Sequence, residues 1–254
     1  MTVAYSASTD QAIEYPSSDG EPVAESFVHL YALLVTLEVL RQYLEGQQAT
    51  VLANQFMYYS QGMPKLRVAP DVMVIFEVEP GGRDNYKIWV EGQVPSVIFE
   101  MTSEGTQDQD KTFKKTLYEQ LGVREYWLFD PRGEWVEGQL EGYRLEHGLY
   151  RPITDGRSAP LNLQLKVEGQ LIGFYREDSG EKLLIPQELN QALKREALAR
   201  QQAEQQAERE RQRAEQERQR AEEERQRAEE ERQRAEEAGA RLAGLQARLK
   251  DWLL

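Results

Sequence analysis

Apolar residues recur in this chain with two different periods, and the switches between them mark out its elements. Phe27, Leu30, Tyr31, Leu34, Leu37 and Leu40 fall at three- and four-residue steps, which predicts a helix from about 22 to 44 with that stripe buried. Pro22 suits its first turn and Gly46 its stop. The runs Pro-Asp-Val-Met-Val-Ile-Phe (70–76), Val-Pro-Ser-Val-Ile-Phe-Glu (94–100) and Arg-Glu-Tyr-Trp-Leu-Phe-Asp (124–130) are short, continuous, and rich in β-branched and aromatic residues, so they read as buried strands. Ala49–Tyr59 predicts one more strand, and Tyr86–Gly92 leads into the strand that ends at Glu100. Helical spacing returns after Gly105: Thr106 and Gln109 have capping-box spacing, Phe113, Leu117 and Leu121 form an apolar stripe, and Gly122 ends it. The order is α-β-β-β-α-β, a mixed α/β (α+β) core. Trp135–Tyr150 and Leu161–Tyr175 are shorter strands that either extend the sheet or cover one face.

Near Pro186 the pattern changes again. From Glu208 the motif Glu-Arg-Gln-Arg-Ala-Glu repeats every seven residues, so Ala207, Ala214, Ala221, Ala228 and Ala235 form one row. Glu217, Glu224 and Glu231 take the second seam position of a coiled coil, which leaves the seam weak. Arg213 with Glu217, Arg220 with Glu224, Glu223 with Arg227 and Glu230 with Arg234 are spaced for i,i+4 pairing along a long solvated helix. Leu242, Leu245, Leu249 and Trp252 restore an apolar seam, expected to pack against a second copy, a partner protein or the chain's own domain. The expected division is an irregular segment 1–20, a globular domain 21–186 and a charged, coiled-coil-like helical tail 187–254.

Charge sharpens this division. Of 31 basic and 44 acidic residues, 15 and 16 lie from Glu188 onward, which leaves 16 and 28 before it; nearly all of the net −13 therefore falls on the globular part. Such an excess argues against a non-specific nucleic-acid binder, which usually carries a basic footprint. The absence of cysteine excludes disulfides, thiolate nucleophiles and zinc ribbons, and two histidines, His29 and His147, are too few for a histidine-rich metal site. No apolar stretch approaches the roughly 20 residues that span a bilayer, and residues 1–16 lack the form of a secretory signal. The expectation is a soluble cytoplasmic protein without membrane contact.

Candidate chemistry gathers where the second and third predicted strands meet the second helix. Asp71 opens one strand and Glu100 closes the next, and two acids at strand ends suit a hard divalent cation such as Mg2+, with Mn2+ as a substitute. In the helix that follows, Asp110, Lys114 and Tyr118 share one face, because four residues advance only about 40° beyond a full turn. Metal-assisted hydrolysis of a phosphodiester follows: Asp71 and Glu100 hold the ion, and Lys114 orients water or stabilises charge on phosphorus. Glu25, near the start of the first helix, is an additional acid within reach. Simpler readings stand beside these. Asp71 after Pro70 suits a turn; Asp110 and Lys114 suit an i,i+4 ion pair; Tyr118 suits a packing role with a tethered hydroxyl; Glu25 suits a helix start; Lys111 and Lys115 rival Lys114. His29, four residues after Glu25, either faces the site or is an ordinary helix histidine, and His147 beside Gly148 is a turn residue.

These segments resemble the PD-(D/E)XK nuclease superfamily and, within it, the Uma-type restriction endonuclease family. The resemblance covers about residues 15–175 and rests on Tyr15-Pro-Ser-Ser-Asp-Gly-Glu-Pro22, Val68-Ala-Pro-Asp71, Val97-Ile-Phe-Glu100, Asp110 through Lys114 to Tyr118, and Gly122-Val-Arg-Glu-Tyr-Trp127. It implies a restriction endonuclease-like αβββαβ core, a magnesium-dependent site and DNA as substrate. The superfamily usually has lysine two residues after the second acid, where this chain has Thr102. Variants carry the lysine on the neighbouring helix, which nominates Lys114. The competing expectation is an interaction protein of the same fold with weakened cleavage, working through its tail.

Overall fold

The computed structural model describes residues 13–20 and 26–252, with the side chains of the tail described as far as Leu245. The chain divides into two compact units, residues 1–189 and 190–254. The first opens with α1 (Phe27–Tyr43), β1 (Ala49–Leu52), β2 (Met57–Tyr58), β3 (Arg67–Val68), β4 (Val72–Phe76) and β5 (Tyr86–Lys87). A short helix α2 (Ile88–Glu91) and β6 (Val97–Met101) follow, then a helix that is π-wound over Gln109–Lys114 and continues as α3 (Lys115–Leu121). After β7 (Glu125–Phe129) come β8 (Leu140–Glu146), β9 (Leu149–Ile153), β10 (Arg157–Ser158), β11 (Leu163–Glu168) and β12 (Leu171–Arg176). The last helix, α4, is Pro186–Trp252.

The central sheet has the order β1-β4-β6-β7-β8-β9, with only the β6/β7 pair parallel, the crossover between them being the π/α3 helix. The predicted α-β-β-β-α-β order is thus the observed one, through α1, β1, β4, β6, α3 and β7. Because side chains alternate across a strand, the sheet buries two cores. Val72, Val74, Val97, Phe99, Met101, Trp127 and Phe129 face α1 and the small sheet β10-β11-β12, whose Leu163, Leu165, Ile172 and Phe174 close over them. Met73, Ile75, Ile98, Tyr126 and Leu128 face the other way, toward Tyr118, Val123, Tyr143 and Tyr150. Of the two alternatives for the later strands, β8 and β9 extend the sheet and β10–β12 cover a face.

Two expectations are corrected. The predicted strand 49–59 is two strands in different sheets: Asn54 takes a left-handed φ of 53°, its N–H donates to Pro70, and the chain leaves β1 for a separate sheet of order β3-β2-β5. The stretch Tyr86–Gly92, which does lead on to β6, contains the short helix α2, ended by Gly92 at φ 76°. On α1 the buried residues are His29, Ala32, Leu33, Val35, Thr36, Val39 and Leu40, whereas Phe27 is 76% exposed and Leu30 and Leu34 are also exposed. The helix is apolar nearly all round, so its periodicity offered two stripes and the sheet selected the one with the smaller residues. Its described start is the cap at Ser26, whose side chain accepts from the His29 N–H; Pro22 and Glu25 lie outside the described residues.

Residues 13–20 are irregular but held. The Tyr58 hydroxyl donates to the Pro16 carbonyl, Asn85 donates to the Tyr15 carbonyl, and the Tyr15 ring packs edge-on against Tyr58. Among the described residues no helix is long and apolar enough to cross a membrane. In the second unit the helix carries exposed ion pairs at i,i+4 spacing, Arg200–Glu204, Arg232–Glu236 and Arg234–Glu230, each contributing at most a few tenths of a kcal/mol at such exposure.

Candidate active site

Antiparallel pairing of β4 with β6 sets Val72 opposite Phe99, so the next pair outward is Asp71 and Glu100. Register alone brings the two acids together at the end of the strands. Asp71 Oδ2 accepts from the Met101 N–H at 2.6 Å, and the Asp71 N–H donates to Glu100 Oε2 at 3.4 Å. His29 comes from α1 with Nε2 at 3.6 Å from Asp71 Oδ2, so this histidine does face the site.

Glu100 is fully buried, on the sheet face that carries Ile98 and looks toward α3. Its Oε1 accepts from the Tyr118 hydroxyl at 2.7 Å and its Oε2 from Lys114 Nζ at 2.9 Å. Lys114 Nζ also lies 2.9 Å from Asp110 Oδ1, an ion pair without hydrogen-bond alignment at that oxygen. The apolar stripe is the more exposed side of this helix: Phe113 is 51% exposed and Leu117 and Leu121 only half-buried, while Asp110 and Tyr118 are buried. The polar row is inside because each member has a partner there: a buried charge is tolerable only when paired. The helix begins at Gln107, directly after Thr106 as the spacing predicts; the Asp110 N–H donates to the Thr106 carbonyl, and Thr106 Oγ1 accepts from the Ser103 N–H.

The rival lysines point elsewhere. Lys111 Nζ donates to the Trp135 carbonyl, and Lys115 Nζ sits 3.4 Å from the centre of the Tyr143 ring. His147 is exposed in the β8–β9 turn with a left-handed φ of 54°.

The electrostatics follow from burial. Burial raises the Glu100 carboxyl to about 8; the Lys114 charge opposes the rise, and Asp71 and Asp110 add to it. Burial also works against the Lys114 charge, but Glu100, Asp110 and Asp71 outweigh it and its pKa is raised, so the ammonium persists at neutral pH. Burial and then the neighbouring Glu100 push the Tyr118 hydroxyl well up, which keeps it a donor. The linkage has a definite sign. Folded Glu100 holds its proton up to about 8 against an ordinary value of 4.5, so between those values the folded state binds more protons and stability from this group falls as pH rises. In metal-free buffer, Glu100→Gln is therefore expected to gain in melting temperature over wild type as pH goes from about 5 to about 8. A difference independent of pH, followed by calorimetry across that window, would show that Glu100 stays ionised throughout.

Asp71 and His29 also line a cleft of about 500 Å3, together with Thr102, Ser103, Thr106, Arg132, Glu134 and Trp135. Thr102, at the usual lysine position, is buried with its hydroxyl lacking a hydrogen-bond partner. Among the described residues no three histidine or acidic side chains are grouped to hold an ion; Lys114 Nζ occupies the space between Glu100 and Asp110. The donors nevertheless fit a hard divalent cation: Asp71 and Glu100 present adjacent carboxylate oxygens, and Asp71 and Asp110 add to the burial that keeps the Glu100 proton on. Sequence reasoning missed the cleft's far wall. Arg132 and Trp135 lie in a loop after β7, and only their position next to a strand end on the same side as Asp71 could have drawn attention to them.

Comparison with known proteins bears on the whole arrangement. No curated protein matches the chain. One solved structure that resembles it, titled a putative nuclease belonging to DUF820 from Anabaena variabilis, shares 14% identity, covers 56% of this chain and 77% of its own, and has a TM-score of 0.39. The sequence model of Uma2, described as "Putative restriction endonuclease", matches residues 3–174, which takes in α1, the whole central sheet and both acids. The chain therefore belongs to the Uma2 family of putative restriction endonucleases.

Proposed function

We propose that the globular unit is a magnesium-dependent endonuclease that hydrolyses DNA phosphodiester bonds. The observation that carries this reading is the contact of Lys114 Nζ with Glu100 Oε2 beside Asp71: two strand-end carboxylates and a helix-borne ammonium form one constellation. Asp71 and Glu100 would hold the ion, whose chemistry when bound is to polarise the phosphate and acidify a water. Lys114, charged at neutral pH, is placed to stabilise negative charge growing on a phosphate oxygen. Tyr118 is a positioning residue, fixing the Glu100 carboxylate through Oε1. Thr102 carries no charge, so it cannot supply what the usual strand lysine supplies. The test is nicking of supercoiled plasmid in Mg2+ or Mn2+ by wild type, Lys114→Met, Lys111→Ala and Lys115→Ala. Loss in Lys114→Met alone supports the reading; equal nicking in all four removes the lysine role from this helix.

The tail supports a separate reading as an association segment, because Leu242 and Leu245 on one face of α4 are 59% and 60% exposed. Light scattering on the full chain and on a chain ending at Leu189 is expected to show a multiple of the protomer mass only for the former; equal protomer masses would sink the idea.

A further inference from the structure

Trp135 lines the cleft, partly exposed, and its backbone is held at both ends. Its N–H donates to Asp130 Oδ2 and its carbonyl accepts from Lys111 Nζ. Asp130 is itself fixed: its carboxylate also accepts from the N–H groups of Arg132, Gly133 and Val136. Those bonds hold the Asp130 carboxyl below its usual range despite burial, so the anchor stays an acceptor throughout the neutral range. Yet among the described residues the Trp135 ring has no aromatic partner, in contrast with Tyr15, Tyr118 and Tyr126, each of which has one. A large apolar ring on a rigid turn, lining the same cleft as Arg132 and Asp71, is built to receive a flat partner.

We infer that Trp135 is a stacking platform for an unpaired base, and that the nucleic acid this site takes is single-stranded or locally unpaired rather than intact duplex. The inference rests on the nuclease reading of the cleft and names its substrate class. The cleft's size, about 500 Å3, is that of a small-ligand pocket, for which about 300–1,000 Å3 is typical. Charge points the same way. Arg132 is the only basic side chain along the described lining apart from His29, and Asp71, Glu104 and Glu134 stand against it. Duplex binding draws its affinity from many neutralised phosphates, which the chain before Glu188, with 28 acidic and 16 basic residues, does not offer. Stacking of an unpaired base on an aromatic ring adds an affinity that a duplex, whose bases are already stacked and paired, cannot draw on.

The test is fluorescence anisotropy of the full chain, without divalent metal, on three fluorescein-labelled probes: an oligodeoxythymidine, an abasic strand of equal length, and a blunt duplex. The thymidine strand is expected to bind about tenfold more tightly than the abasic one. Trp135→Ala should abolish that difference and Trp135→Phe should keep most of it, with near-UV circular dichroism confirming that each variant is folded. Preference for the duplex, an unchanged affinity in Trp135→Ala, or no binding to any strand overturns the platform. A separate nicking assay in Mg2+ keeps the two readings apart. Base-dependent binding without cleavage sinks hydrolysis and leaves the platform, whereas cleavage without dependence on Trp135 does the reverse.

Discussion

Glu100→Gln is expected to lower metal-dependent cleavage of plasmid DNA by about a hundredfold or more, through kcat, while the protein stays folded. The amide keeps the shape of the carboxyl, and its NH2 can donate to the Tyr118 oxygen while its carbonyl accepts from Lys114. What disappears is the ability to ionise when a cation binds, and with it both a ligand for that cation and one of the three carboxylates that raise Lys114. Asp71→Asn should fall in the same range, and the double variant should lose little more, since the two acids act as one unit. Initial rates in Mg2+ with protein verified by near-UV circular dichroism decide the matter. A Glu100→Gln rate within a small factor of wild type would take the chemistry away from this constellation. Lys114→Met has a second expectation attached. Removing one partner of a buried pair commonly costs about 3–5 kcal/mol, but Glu100 already holds its proton up to about 8 and can remain neutral without the lysine. Its stability loss should therefore be smaller at pH 6 than at pH 9.

Trp127→Ala is expected to destabilise the globular unit by about 3–5 kcal/mol, enough to unfold a large share of it at physiological temperature. Trp127 is 1% exposed in the centre of β7, and its Nε1 donates to the buried Glu125. Its ring lies over Gly142, the residue opposite it on β8: a Cβ there would stand 2.4 Å from a ring carbon. Gly142→Ala should accordingly cost about 1–3 kcal/mol by overpacking, although alanine is ordinarily a mild change in a strand. Urea unfolding of the three proteins measures both. A Trp127→Ala midpoint near wild type would mean that β10–β12 collapse onto the vacated space.

Much of the fold was legible because β4, β6 and β7 are buried on both faces and so read as unbroken apolar runs. The two acids were legible for a related reason: each interrupts or borders such a run, where a carboxylate needs a partner. Two things hid the rest. Where a segment is apolar on every side, as in α1, periodicity does not choose the face, and the choice of Ala32, Leu33 and Val39 over Phe27 and Leu34 was made by the sheet. Where a loop brings residues together, as Pro131–Val136 brings Trp135 into the lining of the cleft, spacing carries no distance information at all. The inward polar row of the second helix lies between these cases. Its members were recognisable by four-residue spacing, but their burial followed from Glu100, fourteen residues before Lys114.

The mixed winding of that helix acts as a vernier on angle. In a purely α-wound helix, each step of four residues overshoots a full turn by about 40°, so Asp110 and Tyr118, two steps apart, would diverge by about 80°. A π-wound turn is wider, about 4.4 residues, and a four-residue step falls short of a full turn by roughly 30°. Asp110 to Lys114 is taken with π winding and Lys114 to Tyr118 with α winding. The two errors have opposite signs and nearly cancel, so three side chains spread over eight residues line up along a single meridian facing Glu100.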